Sequence, residues 1–249
     1  GERPREGLYI FGDGGGIIKN DAGYVFDTLP EYDDVGDLFL TRIKFQSMEG
    51  AETVIFNAEK IIRIVSMMNY YKDVDSIIHA TDTYIQSIRF IGDYIVGGEG
   101  AAFYFRSAYD LTIEDCLIEW REHAIMTTGP GTNVSHNIRI VNNVIEGLTG
   151  TAVKLSMTNS LIISGNYFEA NEGDYIDLST ASSKGYLVQS NYFHLGDGES
   201  DEKVCIKWPI CHNHSHTSIS NRTNKGYLHG IPDNLTFVVS TGDINESGD

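Results

Sequence analysis

Three glutamates recur at near-regular intervals, Glu119, Glu146 and Glu169, and His194 occupies the matching place in the next interval. If each interval is one turn of a coil, strand spacing of ~4.8 Å stands these side chains in file. Carboxylates that close repel one another, so at least one is driven to hold its proton, as a general acid must. The segment EANEGDYID, which begins at Glu169, adds Glu172, Asp174 and Asp177. Glycosidic cleavage needs one protonated carboxyl for the leaving oxygen and one ionised carboxylate to activate water or attack carbon. A separation of ~5 Å implies retention and ~6.5–9.5 Å inversion. The candidate catalytic residues are therefore Glu146 or Glu169 as proton donor, with Asp174 or Asp177 as base or nucleophile. The plainer reading is a solvated edge: Asp177 falls between Lys154 and Lys207 in an outward column, a ladder worth ~0–1 kcal/mol per pair.

The same wall offers binding groups. An outward column runs Phe56, His79, Tyr104, Met126, Lys154, Asp177 and Lys207. Trp120 and Tyr94 are flat rings of the kind that cover a sugar's apolar face. Lys154, Arg121 and Tyr104 complete the candidate substrate-binding set. A lyase would use such cations to neutralise a uronate and a nearby base to remove its α-proton; the basic residues are sparse, which favours hydrolysis. His212, His214 and His216 share one face of an extended strand, but no fourth ligand accompanies them, and a polar cap is the better expectation than zinc. No metal or cofactor is expected. Asn-x-Ser/Thr sequons start at Asn133, Asn213, Asn221, Asn234 and Asn245, within what chance gives in a chain this rich in those residues.

What must position these side chains is an internal repeat of about 25 residues. The segments LTIEDCLIEW, IRIVNNVIEG, LIISGNYFEA and YLVQSNYFHL superpose. One column then reads Ile113, Ile140, Ile163, Val188; a second Cys116, Asn143, Asn166, Asn191; a third Ile118, Ile145, Phe168, Phe193. Extended backwards, the first column takes in Ile85, Ile64 and Leu40. A second apolar strand in each repeat supplies Ile55, Ile78, Phe103, Ile125, Val153, Ile176 and Ile206. β-Branched and aromatic residues alternate with period two, and short turns rich in Gly, Asn and Glu separate the strands. The asparagine column fits a stacked amide ladder. Two-residue Asn-Gly or Asp-Gly hairpin signals are missing. These features predict an all-β chain, a right-handed parallel β-helix built as a single-stranded solenoid of about seven or more rungs. The expected organisation is an N-terminal cap and first coil over 1–36, the β-helix over 37–208, and an irregular C-terminal segment over 209–249. Insertions after Gly92, Thr127 and Gly196 are loops expected to border a binding face.

Composition narrows the function. The 249 residues carry 18 basic and 35 acidic side chains, a net charge of −17, which repels nucleic-acid phosphates. No apolar run approaches the ~20 residues of a membrane-spanning helix. Three cysteines, Cys116, Cys205 and Cys211, do not make a disulfide framework and suit folding in a reducing cytoplasm.

The run NIRIVNNVIEGLTGTAVKLSMTNSLIISGNYFEANEGDYIDLS resembles the pectate-lyase-like β-helix superfamily, and within it the tailspikes and capsule depolymerases of bacteriophages. That resemblance implies an extracellular virion-tail protein that binds a bacterial surface polysaccharide and assembles as a homotrimer. It also implies carboxylates on the outer wall of neighbouring rungs as the hydrolytic groups. A polysaccharide lyase and a non-enzymatic adhesin on the same fold are the alternatives. The outward residues Leu117, Val144, Tyr167 and Tyr192 are expected to meet a partner subunit.

Overall fold

The computed structural model describes residues 8–12, 17–20, 23–27, 35–48, 52–57, 61–128, 134–179, 185–196, 203–208, 216–224, 227–230, 238–241 and 244–245. Its strands form a parallel β-solenoid of two hydrogen-bonded sheets, one of 17 strands and one of 10. The 10-stranded sheet is the short-strand face, where Tyr94–Val96, Leu117–Glu119, Val144–Glu146, Tyr167–Glu169 and Tyr192–His194 pair in parallel without slippage. The larger sheet covers the other two sides. Its strands Ser76–Ile91 and Ala101–Glu114 run through the corner between those sides and so join them.

The corners follow from backbone conformation. Arg42, Met68, Gly92, Asp115, Asn142, Gly165, Ser190 and Ser220 all have positive φ and stack at the entrance to the short-strand face. Asp73, Gly97, Trp120, Gly147 and Ala170 do the same at its exit. A third file, Asp37, Arg63, Ser87, Asp110, Asn137, Ser160 and Gly185, marks the remaining corner. One left-handed residue per corner turns the chain sharply, at a cost of ~1–2 kcal/mol wherever it is not glycine.

Immediately after the entrance corner comes the amide ladder. Asn143 Nδ2 donates to Asn166 Oδ1, Asn166 Nδ2 to Asn191 Oδ1 and Asn191 Nδ2 to Asn221 Oδ1, each at 2.9 Å. Each Oδ1 also accepts the backbone N–H of the preceding turn, as Cys116 N gives to Asn143 and Asn143 N to Asn166. Each Nδ2 also donates to a carbonyl there, Ile113 and Ile140 among them. The ladder thus replaces backbone bonds that the turn cannot make. Asn221, its last rung, is fully buried, so the sequon that starts there is closed in the folded chain.

The inward columns form one continuous apolar core, with Ile113, Ile140, Ile163, Val188, Ile118, Ile145, Phe168 and Phe193 all at 0% exposure. Three expectations need correction. Ile113 aligns with Phe90, Ser66 and Leu40, whereas Ile64 pairs with Ile88 and Ile85 with Ala108. The misleading residue is Ser66, a buried hydroxyl in a core column, which bonds the Tyr71 hydroxyl at 2.8 Å. Phe56 is not outward: it pairs with Ile78, is fully buried and stacks on Phe26 at 5.2 Å, while Asn57 takes the place beside His79. Nor does the register stop at Trp208. Tyr186–Gln189 pairs with His216–Ile219, which pairs with Val238–Thr241, and Val204–Lys207 pairs with Tyr227–Gly230.

Candidate active site on the short-strand face

A three-residue strand with its middle side chain inward leaves its first and third facing out. Repetition makes two outward columns on the short-strand face. The first reads Lys44, Tyr70, Tyr94, Leu117, Val144, Tyr167, Tyr192 and Arg222. The second reads Gln46, Lys72, Val96, Glu119, Glu146, Glu169 and His194. A strip with a tyrosine pair on either side of Leu117 and Val144 therefore runs beside a strip that holds the three glutamates.

The rings are stacked: Tyr70 on Tyr94 with centroids 4.9 Å apart, and Tyr167 on Tyr192 at 5.7 Å. Tyrosine hydroxyls reach across to the acids. Tyr94 donates to Glu119 Oε1, and Tyr167 donates to Glu169 Oε2 at 3.0 Å. His194 Nδ1 lies 3.1 Å from Glu169 Oε1. Glu146, between the two, has neither support. Partial burial, followed by the neighbouring Glu119 and Glu169 carboxyls, raises its pKa above the ordinary carboxylate value. The hydrogen bond to Glu119 pushes Tyr94 up to about 12, and burial together with the bond to Glu169 does the same to Tyr167. The members of the file thus differ: the Glu146 pKa is raised, while Glu119 accepts one donor and Glu169 lies between a tyrosine hydroxyl and an imidazole.

Trp120 opens the exit corner beside this file. Its indole is 64% exposed and packs over Gly147, the residue after Glu146, where any Cβ would meet the ring at 2.9 Å. An exposed flat ring next to the Glu146 carboxyl is the kind of surface that covers a sugar face.

The remaining candidates fall elsewhere. Lys154, Asp177 and Lys207 do share a column, yet the ion pair is between Lys207 Nζ and Asp174 Oδ2, at 2.8 Å. Asp177 is 8% exposed, and its Oδ1 accepts the Ser179 N–H at 2.9 Å and hydroxyl at 2.6 Å, a local turn that uses up one carboxylate oxygen. Among the described residues no hydrogen bond or ion pair joins Asp174 or Asp177 to the glutamate file. Arg121 does not face a ligand: it is 3% exposed, and its guanidinium donates to the carbonyls of His123, Asp75 and Val74. Burial lowers its pKa to about 9. Tyr104 is half-buried, on the other side of the solenoid, stacked on His79 at 5.4 Å. His212 and His214, and most of the loop after Gly196, lie outside the described residues.

The role of Tyr167 beside Glu169 was missed in the sequence, although the spacing carried the signal. Residues two apart in a strand share a face, so a Tyr-x-Glu strand repeated as Tyr-x-His on the next turn must bring hydroxyl, carboxylate and imidazole together.

A family model described as the right handed beta helix region matches residues 33–200. The chain belongs to that family. Among solved structures, this β-helix resembles the tailspike protein of Acinetobacter baumannii phage AM24, with a TM-score of 0.67 and 17% identity over 98% of this chain and 47% of that one. A double mutant of the tailspike protein of E. coli bacteriophage HK620 aligns with a TM-score of 0.43 and 14% identity, over 96% of this chain and 60% of its own. The β-helix spans about half the length of the AM24 tailspike. No curated protein sequence matches it.

Proposed function

We propose that this β-helix is the glycan-processing part of a phage tailspike-type depolymerase that hydrolyses a bacterial surface polysaccharide. The supporting observation is the paired strip on the short-strand face: two stacked tyrosine pairs along a file of three glutamates, with the Glu146 pKa raised by burial and by Glu119 and Glu169. The glycan lies along the solenoid axis, with sugar faces on the rings of Trp120 and the tyrosines. Glu146 protonates the leaving oxygen. Glu169, oriented by Tyr167 and His194, acts on the other side of the bond as base or nucleophile. Strands ~4.8 Å apart place the two near the ~5 Å separation of a retaining enzyme. This assignment moves the base role from Asp174 and Asp177, which are engaged with Lys207 and Ser179.

The fuller reading places the protein on a virion tail as a homotrimer, which light scattering on the full-length protein tests. The function itself is tested by incubating the protein with a panel of bacterial capsular and O-antigen polysaccharides and sizing the products. Shortened chains with a new reducing end and no new ultraviolet absorbance support hydrolysis. An unsaturated product makes the protein a lyase, and bound but intact polymer makes it an adhesin.

A further inference from the structure

Away from the glutamate file, on the side of the solenoid where the second strands begin, three consecutive turns border an open pocket of about 300 Å³. It is lined by Glu52 and Val54 from one turn, by Asp75, Ser76 and His79 from the next, and by the stretch from Glu99 to Tyr104. Three turns span two strand spacings, ~10 Å, and the volume is at the small end for ligand sites.

The lining is organised. Asp75 Oδ2 accepts the backbone N–H of Thr53 at 2.6 Å, and its Oδ1 accepts that of Glu99 at 3.2 Å. One carboxylate thereby ties together the neighbouring turns that supply Glu52 and Glu99. Beneath it, the buried Arg121 guanidinium holds the Asp75 carbonyl at 2.5 Å. Above it, the His79 and Tyr104 rings stack at 26° to each other and present a half-buried aromatic wall. The acids do not converge on a point: no group of His, Cys, Asp and Glu side chains among the described residues is close enough to hold a metal ion.

We infer that this pocket is a second sugar-binding subsite, selective for uncharged pyranose residues. Carboxylates that do not converge on a cation are acceptors for hydroxyl and amide N–H groups, and the His79–Tyr104 wall gives a pyranose face its apolar contact. Three acids against one imidazole repel a uronate or any other anionic residue. The pocket therefore selects stretches of neutral hexose or N-acetylhexosamine and holds the polymer at a second point. The inference rests on the glycan-binding reading above for the nature of its ligand.

The test uses the methyl glycosides of glucose, galactose, N-acetylglucosamine and N-acetylgalactosamine, with methyl glucuronide as the anionic probe, titrated into the protein by calorimetry and saturation-transfer NMR. At least one neutral glycoside binds, methyl glucuronide does not, and Tyr104→Ala weakens binding about tenfold or more, the size of one lost stacking contact. Tyr104→Phe retains the wall and most of the affinity, and separates loss of the platform from loss of fold. Binding by none of the four neutral glycosides overturns the proposal. So does binding that survives Tyr104→Ala together with Glu99→Gln, and so does a preference for glucuronide. Glycoside binding sensitive to Tyr104, in a protein that shortens no polysaccharide, leaves the subsite standing and removes the depolymerase reading alone.

Discussion

Glu146 stands directly beside Glu119 on the next turn, while the Glu119 carboxylate accepts the Tyr94 hydroxyl. Of these two neighbouring acids, Glu146 lacks the phenol, and burial and the nearby carboxylates raise its pKa, which suits it to the proposed donor role.

Activity on the cleaved polysaccharide falls as pH rises through the elevated Glu146 pKa, because the donor is then lost. Glu119→Gln removes the neighbouring charge that sustains the elevation. Its alkaline limb moves to lower pH, as a pH–rate profile of the two proteins would reveal. A limb that stays in place assigns the proton to another group.

Glu146→Gln and Glu169→Gln each reduce turnover by ~100-fold or more, the usual scale for a lost acid or base. Both side chains point outward, so thermal unfolding of either variant stays within ~0.5 kcal/mol of the parent. Asp177→Asn has a smaller effect on turnover, since that carboxylate serves a local turn with Ser179.

Trp120→Ala raises KM by ~10-fold with a smaller change in kcat, the signature of a stacking contact made equally in ground and transition states. Steady-state kinetics on a defined oligosaccharide separate the two parameters.

Asp93 occupies a rung of the amide ladder. Its Oδ1 accepts the Asn69 N–H at 2.7 Å, but its Oδ2 is buried without a partner. Burial, only partly offset by hydrogen bonds from Asn69 and Ser66, raises the pKa from 3.8 to about 7. Below about pH 4 the group is protonated in folded and unfolded chains alike and costs nothing. Between about 4 and 7 the unfolded chain releases a proton that the folded chain keeps, so stability declines with rising pH and then levels off. Asp93→Asn supplies the amide that the neighbouring rungs use and removes this decline. The gain is a few kcal/mol at pH 8 and vanishes near pH 4, measured by denaturant titration at both.

The architecture was legible in the sequence wherever each turn repeats the same polar and apolar columns. From Ile113 to Val188 the strand, ladder and core columns stand where the repeat puts them. Ahead of Ile113 the repeat misled, because Ser66 sits in an apolar column and Asp93 in an amide column; each is satisfied or strained by contacts that only the fold creates. The glutamate file was legible because strand spacing alone stacks it. The positions of Arg121 and Asp177 were not, since a turn can fold a charged side chain inward onto carbonyls or onto its own backbone, and nothing in residue order marks which one will.

Met68, at φ 56° and 57% exposed, bears a side chain in a conformation that favours glycine, as Gly92 and Gly165 do on other turns of the same file. Met68→Gly stabilises the fold by up to ~1 kcal/mol, since relief of the left-handed penalty outweighs the added freedom of the unfolded chain. Chemical denaturation measures it directly.

The stack is held by its inward columns, its corners and its amide ladder, while the two outward columns of the short-strand face contribute little to it. Grammar and vocabulary are thus separate in this molecule. Tyr94, Glu119, Trp120, Glu146 and Glu169 could be rewritten one turn at a time while the apolar columns and asparagines beneath them stay unaltered. The outward face can therefore be recoded without rebuilding the shaft that carries it.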